Sequence, residues 1–207
     1  MTHTTDVTGP TTLAAVPTIR GRVARMVTEL GAPSVINIVT PILASFAVAA
    51  PLWGVFIAMF TSVIPMALIF VGMRFGSAND HHVTDIKGRR WVLPGSLAIV
   101  AVGLVIEVLA DAPRELIAWL VACVAMLVVV AVVTIVGRWK VSVHTAVAAG
   151  NTVLLAMMIS PWLLSAVPVT AVIAWSRVYL GDHTRGQVIV GALLGAAISV
   201  AAYMLVV

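Results

Sequence analysis

The stretch Leu116–Val136, reading LIAWLVACVAMLVVVAVVTIV, carries no charged residue and is as long as a bilayer crossing requires, about 20 apolar residues. Asp111, Arg114 and Glu115 precede it; Arg138 and Lys140 follow it. Working outward, six further apolar runs appear at Ala32–Ala50, Leu52–Met73, Trp91–Leu109, Val143–Ser160, Leu163–Ala174 and Val188–Val206. Pro51 and Pro161 separate neighbouring runs with tight turns, because proline breaks the helical ladder. The chain is 61% hydrophobic and 10% charged, with a mean hydropathy of +1.12. Soluble domains run at about 45–50% apolar and about 25% charged. These features predict an all-α polytopic membrane bundle of six to seven transmembrane helices, six if the first two runs form a re-entrant pair. Residues 1–30 read as a polar tail and an amphipathic surface segment, in which Arg20, Arg22 and Arg25 alternate with Val23 and Met26. That segment lacks the uninterrupted apolar core of a signal peptide. Residues 31–207 read as a single transmembrane domain.

The net charge of +4 does not point to nucleic acid, since the basic residues sit between apolar spans and read as topology signals and anion ligands. Cys123 is the one cysteine and lies in an apolar run, which excludes a disulfide framework. Three polar loops stand out. The first holds Arg74, Asp80, His81, His82, Asp85, Lys87, Arg89 and Arg90. The second holds Arg138, Lys140, Ser142 and His144, and the third holds Arg177, Asp182, His183 and Arg185. An even number of crossings separates each from the next, so all three fall on one membrane face with the N-terminal arginines. Only Arg114, among the Lys and Arg residues, falls on the other. The positive-inside rule makes the motif face cytoplasmic, in an integral protein of a bacterial or archaeal-type cell membrane.

The third loop, Ser176-Arg177-Val178-Tyr179-Leu180-Gly181-Asp182-His183, combines a guanidinium fork suited to phosphate with a histidine able to act as nucleophile or proton carrier. His144 and His183 both stand where a span begins, and a helix N-terminus favours an anion. With these residues the chain resembles the type 2 phosphatidic acid phosphatases, membrane lipid phosphatases marked by K-x6-R-P, P-S-G-H and S-R-x5-H-x3-D. Ser176, Arg177 and His183 match the third motif at its spacing. Val141-Ser142-Val143-His144 keeps the serine and histidine of the second without its proline and glycine. Asp85-Ile86-Lys87-Gly88-Arg89-Arg90 occupies the place of the first, without a lysine seven residues ahead of an arginine. The resemblance spans about residues 80–195. Gln187 stands where the family has its final aspartate; glutamine there, in Ser-Arg-Val-Tyr-Leu-x-x-His-Thr-x-x-Gln-Val, is similar to the dolichyl-diphosphatase branch and hints at a polyprenyl substrate.

The resemblance implies a metal-independent, cofactor-free phosphoric ester or diphosphate hydrolase working through a phosphohistidine. His183 is the implied nucleophile, His144 the acid and base at the leaving oxygen, and Gln187 the group orienting His183. Arg177, Ser142, Lys87, Arg89 and Arg90 are the implied phosphate ligands, and the partners are a lipid phosphate and the bilayer. Blander readings stand beside these. Lys87, Arg89 and Arg90 suit membrane anchors, as do Arg138 and Lys140, and Ser142 suits an N-cap. His81 and His82 with His144 and His183 form a possible zinc set that the surrounding cations disfavour. Glu107 reads as reaching the interface, and Trp175 and Tyr179 as an aromatic belt. Asn79, Asp80 and Asp85 loosely resemble the magnesium–diphosphate loop of UbiA-type prenyltransferases. A catalytically weakened lipid-phosphate scaffold is the non-enzymatic alternative. The run Gly191-Ala192-Leu193-Leu194-Gly195 suits close helix packing, internal or between subunits.

Overall fold

A computed structural model describes residues 18–75, 81 and 86–207, the side chains of residues 86 and 87 excepted. Asn79, Asp80, His82, Asp85, the side chain of Lys87 and the tail before Thr18 lie outside the described residues. Among those described, the chain forms nine α-helices and no strand: α1 (Ile19–Leu30), α2 (Pro33–Ala47), α3 (Pro51–Ala58), α4 (Ile64–Arg74), α5 (Ile86–Leu109), α6 (Arg114–Ile135), α7 (Val143–Met158), α8 (Val167–Tyr179) and α9 (Arg185–Val206). A π turn at Met59–Val63 joins α3 to α4, and a 3-10 turn at Pro161–Ala166 leads into α8. The π turn lies just before Pro65, where the missing N–H and the ring's bulk disturb a regular helix. Thr61 and Ser62 there donate to the carbonyls of Ile57 and Ser34, at 2.7 and 2.8 Å.

Five helical segments are long and apolar enough to cross a membrane: Pro51–Arg74, Gly88–Leu109, Arg114–Ile135, Pro161–Tyr179 and Arg185–Val206. A sixth arises if α1 and α2, bent by 47° at Gly31–Pro33, form one broken span. The fifth expected crossing, Val143–Ser160, is α7, a helix of 16 residues. At 1.5 Å per residue it is about 24 Å long, short of a hydrocarbon core of about 30 Å. Two boundaries also differ from those read in the sequence. Arg177 lies in the last turn of α8 rather than in a loop, and Arg89 and Arg90 lie in the first turns of α5. Polar side chains extend these helices beyond their apolar runs because their partners lie across the bundle. Ser176, for example, meets Thr28 of α1 at 3.0 Å.

The bundle turns large apolar side chains outward, as a lipid solvent requires: Phe70, Val105, Leu193 and Leu205 are all exposed. Its interior gathers Trp119, Leu116 and Leu120 of α6 with Ile57 and Leu154. Close approach of α7 and α9 follows from glycine. A Cβ on Gly195 would run into the backbone carbonyl of Ala146, and one on Gly191 would come within 2.6 Å of the Ser142 carbonyl oxygen. The small-residue run therefore packs inside this chain, and it brings the N-terminal ends of α7 and α9 together.

Candidate active site

Three helix N-termini meet at one end of the bundle. Arg89, in the first turns of α5, donates from Nη1 to the Val141 carbonyl at 2.8 Å. The Ser142 amide donates to the Gln187 carbonyl in the first turn of α9, at 3.2 Å. Lys140 Nζ donates to the Asp182 carbonyl at 3.0 Å. The second and third loops of the sequence and the start of α5 are thus tied together. Aligned N–H groups and dipole ends of three helices add to the arginine and lysine charges, so the site favours an anion.

The start of α9 is built around Gln187. Thr184 caps the helix, its hydroxyl accepting from the Gln187 amide at 3.4 Å, while Gln187 Oε1 accepts from the Thr184 amide at 3.1 Å. The same Oε1 lies 3.0 Å from His183 Nδ1. An amide oxygen only accepts, so this contact requires the proton on Nδ1 and leaves Nε2 with its lone pair. Nε2 is buried and has no hydrogen-bond partner among the described residues. Burial, then the charge of Arg89, pushes the His183 pKa down to about 3, with Arg177 and Lys140 adding to the effect and the Gln187 bond opposing it. His183 is therefore a neutral imidazole surrounded by cations.

Arg177 is 1% exposed and forms an ion pair with Asp182, Nη1 to Oδ2 at 3.2 Å. Its carbonyl accepts from the amides of Asp182 and His183, at 3.1 and 3.2 Å, which fixes the turn between α8 and α9. Gly181 serves that turn at φ +77°, a left-handed conformation that suits glycine. Ser142 is the N-cap residue of α7 by position, but its hydroxyl makes no capping bond. It is fully buried without a partner among the described residues. His144, one position into α7, is buried and lines a cavity of about 170 Å³ together with Arg89. That cavity runs between α2, α4, α5, α6 and α7, past Met66, Ile69, Leu93, Met126 and Val130.

The structure therefore gathers His183, Gln187, Arg177, Ser142 and Arg89, with His144 in the turn beyond Ser142. Arg90 does not join them: it is exposed, because the next position along α5 is turned by about 100°, away from the bundle interior that holds Arg89. Lys140, read in the sequence as an anchor, turns inward to Asp182, and Asp182 itself was not singled out. Glu107 does not reach the interface. It is fully buried in α5, with neither carboxyl oxygen hydrogen-bonded among the described residues. Among the described residues, no group of three His, Cys, Asp or Glu side chains comes together as a metal site. Trp175 and Tyr179, both exposed on α8, have ring centroids 5.5 Å apart with their planes tilted by 36°. Comparison of the chain with family models, curated proteins and solved structures gives no match.

Proposed function

We propose that this chain is an integral-membrane phosphatase that hydrolyses a lipid phosphate, of the polyprenyl (di)phosphate class or a related one, through a phosphohistidine on His183. The observation that carries this reading is the His183 ring: Nδ1 is held by Gln187, Nε2 is buried and unbonded among the described residues, and the ring lies in the field of Arg89, Arg177 and Lys140. A neutral nitrogen with a free lone pair amid fixed positive charge suits attack on a phosphorus whose oxygens carry negative charge.

In the first step His183 Nε2 forms a bond to phosphorus and the bond to the lipid oxygen breaks. His144 gives that oxygen its proton. In the second step water attacks the phosphohistidine, His144 takes the water's proton, and orthophosphate leaves as the N–P bond breaks. Arg177, Arg89, Lys140 and the Ser142 hydroxyl hold the phosphoryl oxygens, work that is mostly positioning and charge stabilisation. The largely apolar cavity, lined by His144 and Arg89 but not by His183 or Arg177, suits a lipid chain. Glutamine at position 187 favours the polyprenyl class, following the dolichyl-diphosphatase resemblance. The positive-inside rule puts this end of the bundle in the cytoplasm.

The test is phosphate release from polyprenyl phosphate, polyprenyl diphosphate, phosphatidic acid and phosphatidylglycerophosphate, with excess EDTA present. Release from at least one polyprenyl substrate, undiminished by EDTA, is expected. No release from any lipid would remove the enzymatic reading and leave lipid-phosphate binding.

A further inference from the structure

We propose that the Asp182 carboxylate competes with bound phosphate for Arg177, and so limits how tightly the site retains the orthophosphate it releases. This rests on the reading of the site as a phosphate site. Arg177 is almost completely buried, and its Nη1 lies 3.2 Å from Asp182 Oδ2. The carboxylate is therefore already where an incoming phosphate oxygen would seek the guanidinium.

Three contacts show that the carboxylate is not needed to hold Asp182 in place. Its amide donates to the Arg177 carbonyl at 3.1 Å, the adjacent His183 amide donates to the same oxygen, and its own carbonyl accepts from Lys140 at 3.0 Å. The turn is pinned by its backbone, leaving the side chain to act as a charge. Its 27% exposure gives it room to swing aside when phosphate takes Arg177, and to return when phosphate departs. A cationic pocket without such an anion would hold orthophosphate more tightly, because nothing would repel it. Like charges about 5 Å apart, at an effective dielectric near 20, would alter affinity by roughly a hundredfold or more, and the carboxylate's move aside into solvent brings that down to about tenfold.

The experiment is direct binding of inorganic phosphate to the purified full chain in nanodiscs, measured by calorimetry for wild type, Asp182→Asn and Asp182→Ser. Phosphate inhibition of lipid-phosphate hydrolysis is measured in parallel. Asp182→Asn keeps shape and hydrogen bonding but removes the charge, and Asp182→Ser provides a second neutral variant should the first fold poorly. The expected result is phosphate binding about tenfold tighter in the neutral variants, with inhibition by phosphate strengthened to match. A purely structural role for Asp182 would weaken binding on substitution. Binding unchanged or weaker in folded variants, with wild type still binding phosphate, would overturn this inference alone. No binding by any form would overturn the phosphate-site reading, and this inference with it.

Discussion

The His183 ring is set by one amide oxygen and lies in the field of three cations, Arg89, Arg177 and Lys140. Because Gln187 Oε1 accepts from both Nδ1 and the Thr184 amide, the neutral glutamine does two jobs at once. Gln187→Leu removes both, so the rate of phosphate release should fall by about one to three orders of magnitude, checked on protein shown to be folded. An undiminished rate would mean that another group orients His183. Nitrogen NMR of the imidazole should show a ring protonated at Nδ1 with no protonation midpoint near pH 6.5; a midpoint there would contradict the low pKa. The folded pKa lies below the unfolded one, so the unfolded chain binds the proton first. Stability should therefore be fully present above about 6.5 and decline as pH falls from there toward about 3. The adjacent arginines separate equally sharply. Arg89→Ala should cut turnover by a hundredfold or more, on the scale of losing one donor to a developing oxyanion, whereas Arg90→Ala should leave it near wild type. Equal losses measured in the two variants would show that Arg89 plays no special part.

At the scale of elements, the α7–α9 contact positions the site, because it sets Ser142 and His144 beside the start of α9. Gly195→Val would force a branched side chain against the backbone of Ala146. It should cost about 1–3 kcal/mol or more of stability in thermal unfolding and lower turnover by displacing α7. Wild-type stability and activity in that variant would show that the helices can move apart without consequence. The helical elements themselves were legible in the sequence, since long uncharged runs such as Leu116–Val136 have one economical structure in lipid. Their ends were less so. Arg177 looks like a loop residue in a linear reading because its partner, Asp182, becomes a neighbour only after the turn at Gly181 closes. Lys140 was hidden for the same reason, as its acceptor is a backbone carbonyl in another loop. Glu107 looked interfacial from its distance to the span's end; helix rotation, which buries it, is set by packing. The motif spacing from Ser176 to His183 carried the clearest site signal, and Gln187 could be placed on the His183 side by its i+4 relation. The choice of Arg89 over Arg90 needed the register of α5.

For the whole molecule, the polar site occupies one end of a bundle whose outer surface is apolar and whose interior holds a largely apolar cavity with His144 and Arg89 in its lining. On the proposed reading, a lipid phosphate would set its headgroup among the helix N-termini and its chain along the cavity. The most direct measurement is covalent trapping. Protein in nanodiscs is exposed to radiolabelled polyprenyl phosphate with EDTA present, quenched in alkaline denaturant that preserves phosphohistidine, and mapped by peptide. The phosphohistidine mechanism predicts label on His183, none in His183→Ala, and, when a substrate with a good leaving group replaces the polyprenyl ester, label that forms and persists in His144→Ala, whose second step is slowed. Turnover without label on His183, or equal labelling of wild type and His183→Ala, would contradict it.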